Sequence, residues 1–379
     1  MLLLAGFPLT AAGRTLDRVN LVEALSAGVG PRLAGSTASA RAADAVAEAF
    51  RALGLEPRFQ EFDLLAYEPE EPWLEVEGEE WPAGPCMYSH AADVEGTVRR
   101  IGEGPAPVGN RRLATFAIVD GDGRDAARLM TSPFSRGAIP FATIHYPVTT
   151  PPTAFVAAAD GERLEDGMRV RLRVAGEFVP RRERNVIADA RGRGEKRVLV
   201  TAHFDSVFRG PGAIDNATGV EGVRRIGERT IDRDVTLIAF AAEEIKLLGS
   251  RYYVDEAKIR GELKSVAGVV NLDCIGRGEK MMLLASPDEL RGRALEAARG
   301  LGLGERYELE TGPATGGLDS HWFVEAKVPA ATICHFPYDE YHLPDDTAEL
   351  VDERLMSDAV DVGVALVESQ LERPLVQPH

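Results

Sequence analysis

The run STASARAADAVAEAFRALGL, residues 36 to 55, sets Ala, Val, Phe and Leu at helical spacing. That pattern predicts a helix with Ser36 or Thr37 as its N-cap and Gly54 as its stop. EPRFQEFDLL, which follows, alternates apolar and polar residues as an edge strand does. From about Glu71 to Gly167 the rhythm changes to short alternating runs, among them WLEVEG, GTVRRIG, LATFAIVDG, PFATIHY and RLEDGMRVRLRV, separated by Gly and Pro clusters. This is the pattern of a small β-rich module.

After RRERN, residues 181 to 185, the apolar runs NVIADA, RVLVTA, VTLIAFAA, VAGVVNL and PAATICHF alternate with helical patterns such as GVEGVRRIGERT and DELRGRALEAARGLGL. Continuous apolar strands with helices between them predict an α/β fold, a mostly parallel mixed sheet covered on both faces by helices. The amino-terminal helix and strand need that sheet to pack on. The expected organisation is therefore a discontinuous α/β domain, residues 1–71 and 169–379, with a β-rich domain inserted at 72–168.

A chain of 379 residues is longer than one core comfortably fills, which agrees with an insertion. The formal net charge of −17 argues against a nucleic-acid partner, because phosphate binding needs a basic surface. Cys86, Cys274 and Cys334 form an odd set without close spacing, so neither a disulfide framework nor a CxxC zinc site is predicted. The amino terminus, MLLLAGFPLTAAG, is apolar, lacks basic residues in front and is too short to span a bilayer. The expectation is a cytoplasmic protein without a membrane partner, whose unpaired edge strand EPRFQEFDLL offers a route to a homodimer.

Ligands of open α/β sheets bind outside the carboxyl ends of the strands, so those ends are where chemistry is sought. RVLVTA ends in His203 and Asp205, VTLIAFAA in Glu243 and Glu244, and VAGVVNL in Asp273. PAATICHF leads to Tyr341, His342, Asp345 and Asp346, and Asp215 lies in the Gly-rich turn GPGAIDNATG. Singly, each has a bland explanation: a hydrogen-bonded histidine, glutamates favoured at a helix start, an aspartate N-cap. Together they bring histidine and carboxylate from four strands to one edge, where unneutralised carboxylates repel one another and raise each other's pKa. Cations resolve that conflict. Two histidines among several carboxylates suit Zn2+ first, with Mn2+ or Co2+ as substitutes. Two ions about 3.5–4 Å apart on one bridging carboxylate absorb this many acidic ligands.

HFDSVFRGPGAIDNATG, AAEEIKLLGSRYY, NLDCIG, LDSHWF and EYHLPDDT, in this order and spacing, resemble the M28 family of metallopeptidases over roughly residues 185 to 365. PRLAGSTASARAADAVAEAFRALGL resembles that family's amino-terminal segment, and the inserted module looks like a protease-associated domain, a lid over the crevice. The resemblance implies two zinc ions per chain, one held by His203 and Asp273, the other by Glu244 and His342, with Asp215 bridging. It further implies Glu243 as the general base acting on a metal-bridging water, Asp205 as the carboxylate that orients His203, and Tyr341 as the group that stabilises the oxyanion. Asp319 matches an acidic position of the family, whereas His321 falls where the family varies and is not counted as a ligand.

The implied activity is that of an aminopeptidase acting on peptides with a free amino terminus. Other members of the family are carboxypeptidases or glutaminyl cyclases, and Arg209 with the RRER cluster offers either a carboxylate-binding site or solvated strand flanks. A small-amide deacylase uses the same chemistry. A binding or scaffold protein that kept the fold without catalysis is the alternative from another class.

Overall fold

Strands Val235–Phe240 and Val266–Asp273 are buried at every position, so they are stable only with apolar cover on both faces. In this computed structural model, which describes residues 20–105, 112–131, 151–190, 194–314 and 316–375, helices supply that cover. Val198, Val200 and Ala202 face a large core with helices Thr37–Ala52, Thr218–Arg229, Asp288–Gly300 and Glu353–Glu372. Leu199, Ile238 and Phe240 point the other way, onto helices Leu248–Ile259 and Ser320–Glu325. The period of two along a strand divides the two cores.

The eight-stranded sheet runs in the order Arg58–Pro69, Gly176–Ala190, Val235–Phe240, Arg197–His203, Val266–Asp273, Ala330–Phe336, Lys280–Ser286, Glu308–Gly312. Its four central strands, from Val235–Phe240 to Ala330–Phe336, are mutually parallel. Chain order reverses at Arg197–His203: the next strand lies on one side and the one after on the other. Such a switch point opens a crevice at the carboxyl end of the sheet. Lys280–Ser286 and Glu308–Gly312, absent from the apolar pattern, complete the far edge.

At the opposite edge, Arg58–Pro69 pairs antiparallel with Gly176–Ala190 up to Pro69 facing Gly176. The chain thus leaves for the second sheet and returns from it at one place. Among the described residues that sheet also has eight strands, antiparallel except for the pair Asp125–Thr131 and Thr153–Val156. It has its own core of Leu74, Phe116, Ile118, Leu129 and Leu172. Arg169–Val174 belongs to it, which moves the boundary past 168. This strand pairs with Trp73–Val76 on one side and Ala92–Pro105 on the other, and alternation carries Val170, Leu172 and Val174 into that core. Met87 and Tyr88, by contrast, pack into the large α/β core, and the Tyr88 hydroxyl donates to the Leu65 carbonyl at 3.0 Å. MLLLAGFPLTAAG and PFATIHY lie outside the described residues.

Helix Thr37–Ala52 starts where its cap predicts: the Ser36 Oγ accepts the Ser39 N–H at 3.0 Å, and Gly54 takes φ +81° just beyond the end. Among the described residues no helix is long and apolar enough to cross a membrane.

Candidate metal centre

Each central strand ends in a turn that projects a polar side chain into the crevice. His203 and Asp273 are the last residues of their strands. Ala242 before Glu243, Cys274 after Asp273, and His342 itself have φ of +59°, +53° and +59°. Non-glycine residues avoid this left-handed region, and such backbone persists where surrounding contacts over-determine it.

The His203 Nε2 lies 3.2 Å from Asp215 Oδ1 and 3.8 Å from Asp273 Oδ1. The His342 Nε2 lies 3.2 Å from Asp215 Oδ2 and 3.2 Å from Glu244 Oε2. Two trios result, His203–Asp215–Asp273 and Asp215–Glu244–His342, each offering one ligand atom per residue within 4.8 Å of the others. Asp215 belongs to both, one oxygen towards each. Donor atoms around a tetrahedral zinc at about 2.0–2.2 Å sit roughly 3.3–3.6 Å apart, and the separations of 3.2 and 3.8 Å here bracket that spacing. The buried Glu244 Oε1 has no hydrogen-bond partner, an expensive state that a bound cation relieves. The residues present therefore fit divalent metal.

Electrostatics point the same way. Burial opposes charge on His342, but Glu244 and Asp215 outweigh it and push the imidazole up to about 10. His203 is likewise raised well above its ordinary value, burial being outweighed by Glu243 and by the Asp205, Asp215 and Asp273 carboxylates. Asp215 is pulled down despite its burial, held by both histidines. Desolvation, reinforced by Glu244, Asp319 and Asp273, raises Glu243 well above the usual carboxylate range. Without an ion the cluster shares protons, and a metal that takes neutral imidazoles replaces them.

The remaining expected residues occupy distinct places. Asp205 is fully buried; its oxygens accept the Glu243 N–H at 3.1 Å and the Glu244 N–H at 3.3 Å, and Oδ1 stands 3.6 Å from His203 Nδ1. It ties the glutamate pair to the histidine strand. Tyr341 stacks on the His342 ring, centroids 3.9 Å apart and 20° between planes. Buried Asp319 is raised to about 7 by desolvation and its carboxylate neighbours. His321 belongs to neither trio and meets Trp322 edge-on. Arg209 pairs with Glu71; Arg181, Arg182 and Arg184 pair with Glu68, Glu61 and Asp44, as strand flanks do.

Three further side chains shape the centre. Asn216 accepts the Cys274 N–H at 3.1 Å and donates to the Leu272 carbonyl at 2.9 Å, fastening the Asp215 turn to the Asp273 strand. Asp346 holds the amides of Ile214 and Asp215, and the buried Arg32 grips the loop after His203. Asp346 was visible as a strand-end acid. Arg32 lies in the run PRLAGSTASARAADAVAEAFRALGL, which does not reveal its role because its partners are backbone carbonyls 172 to 180 residues along the chain.

A mostly parallel α/β sheet whose strand ends gather two histidine–carboxylate trios defines a metal-binding α/β protein. Residues 185–367 match the profile of Peptidase family M28, and the chain carries that family's domain. It is similar to Aminopeptidase YwaD of Bacillus subtilis, 27% identical over 93% of this chain and 84% of that protein. Leucine aminopeptidase 2 of Arthroderma otae is 35% identical across 33% of this chain and 27% of its own length. A zinc aminopeptidase structure from Bacillus subtilis superposes with a TM-score of 0.73 at 22% identity, covering 92% of this chain and 93% of that one. A peptidase M28 precursor structure from Shewanella amazonensis gives 0.76 at 20% identity, covering 95% and 94%. At these identities the structural likeness establishes the shared fold.

Proposed function

We propose that the protein is a dinuclear-zinc aminopeptidase that removes residues from the free amino terminus of peptides. The observation that carries this reading is the shared Asp215, with one oxygen facing each trio. The M28 domain and the similarity to Aminopeptidase YwaD along most of both chains support peptide hydrolysis. His203 and Asp273 would hold one ion and Glu244 and His342 the other, with Asp215 available to both. Bound there, two zinc ions supply Lewis acidity towards a carbonyl and make water acidic near neutral pH.

The chain's own groups then do the proton work. Glu243 sits beside the ligands without belonging to either trio, and its raised pKa suits a group that takes a proton from water and returns it to the departing amine. Asp205 fixes the backbone that separates this base from the neighbouring ligand Glu244. Tyr341, held against His342, offers a hydroxyl to a developing oxyanion. The second sheet acts as a lid limiting substrate length, a role supported by the Glu71–Arg209 ion pair between its entry and the loop after His203.

Replacing Glu243 by Ala tests the assignment of the base. Turnover should fall by about 100-fold or more, with zinc content measured by plasma mass spectrometry equal to wild type. A variant that keeps more than about a tenth of wild-type turnover contradicts the role.

A further inference from the structure

The backbone turn that carries Asp215 is held from two sides by residues outside both trios. Arg32 is fully buried, and its guanidinium donates to three carbonyls of the loop joining His203 to Asp215: Nε to Phe204, Nη1 to Pro211 and Nη2 to Gly212, the last at 2.7 Å. Its amide donates to Ser206 Oγ at 3.1 Å, and that hydroxyl donates to the Gly210 carbonyl at 2.8 Å. From the other side, Asp346 takes three successive amides. Its backbone carbonyl accepts the Ala213 N–H at 3.2 Å, Oδ1 the Ile214 N–H at 2.7 Å and Oδ2 the Asp215 N–H at 3.0 Å. Asp346 is 2% exposed and lies four residues after His342, in the same loop.

We infer that Arg32 and Asp346 are positioning residues that set the spacing of the two metal sites. Arg32 fixes the Asp215 turn against the strand end that carries His203. Asp346 fixes the same turn against the loop that carries His342. Gly212 allows this packing: it has φ +57°, and a Cβ there would collide with the Asp215 carbonyl and stand 2.6 Å from Ser206 Cβ. A buried charged group that satisfies several backbone groups at once resists displacement, because removing it strands all of them. The bridging carboxylate then has little freedom to drift towards either histidine.

This inference rests on the dinuclear reading, and the test separates the two. Zinc binding to the full chain is measured by competition with a chromogenic chelator, with stoichiometry by plasma mass spectrometry, for wild type, Asp346→Asn and Arg32→Lys. Far-UV circular dichroism confirms the fold of each. A wild-type chain that binds fewer than two zinc ions overturns both readings. If wild type binds two, folded Asp346→Asn and Arg32→Lys should each lose zinc affinity by about tenfold or more. Folded variants that melt earlier yet bind both ions as wild type does show a purely structural role and overturn the inference alone. Ser206→Ala removes only the hydroxyl bridging Arg32 to Gly210, and it carries the test if the other variants do not fold. Its zinc affinity should fall by about threefold or more, and wild-type affinity contradicts the proposal.

Discussion

His335 shows how far one residue departs from its sequence setting. It occupies the apolar strand Ala330–Phe336, is fully buried, and neither ring nitrogen has a hydrogen-bond partner. Burial drives its pKa down to about 4, against the weaker pull of Asp358 and Asp352. A group depressed on folding binds more protons in the unfolded chain, so stability is present above the unfolded value and is lost as pH falls towards the folded one. Between pH 7 and pH 5 this amounts to about 2 kcal/mol. His335→Leu should therefore lose less stability than wild type over that range in urea unfolding, and parallel losses contradict the assignment. At this scale His203 and Asp273 stand out in the sequence because each ends an apolar strand. Arg32 and Asn216 do not, because they act on backbone groups of remote segments.

At the scale of elements, continuous apolar runs identified the central strands, since burial on both faces leaves no polar positions. The half-buried strand Lys280–Ser286 and the exposed Glu308–Gly312 escaped notice. Their place is fixed by backbone pairing and not by composition. The turn between His203 and helix Thr218–Arg229 is fastened by Arg32 and Asp346. Gly212→Ala adds a Cβ into a left-handed, crowded position and should destabilise the fold by about 1–3 kcal/mol. Urea unfolding checks this, and a change below about 0.5 kcal/mol shows that the turn can relax.

Across the whole molecule, the change of rhythm after Glu71 marks runs that pair with one another in the second sheet. Arg169–Val174, the end of the alternating run RLEDGMRVRLRV, pairs with Trp73–Val76 and Ala92–Pro105 in the second sheet. Because Pro69 faces Gly176, replacing residues 70–175 by a short turn should close the hairpin and leave the α/β unit folded. Loss of Met87 and Tyr88 from the large core should lower its melting temperature. If the insertion is a lid, the excised protein cleaves long peptides relatively faster than wild type; an unchanged length profile with intact folding contradicts that role.

Aminopeptidase activity is tested by a mass-spectrometric time course on two peptides in added zinc, identical except that one is acetylated at its amino terminus, both amidated at the carboxyl end. Aminopeptidase activity gives stepwise loss of amino-terminal residues from the unblocked peptide and no change in its acetylated twin. Cleavage of both at the same rate, or of neither, contradicts it.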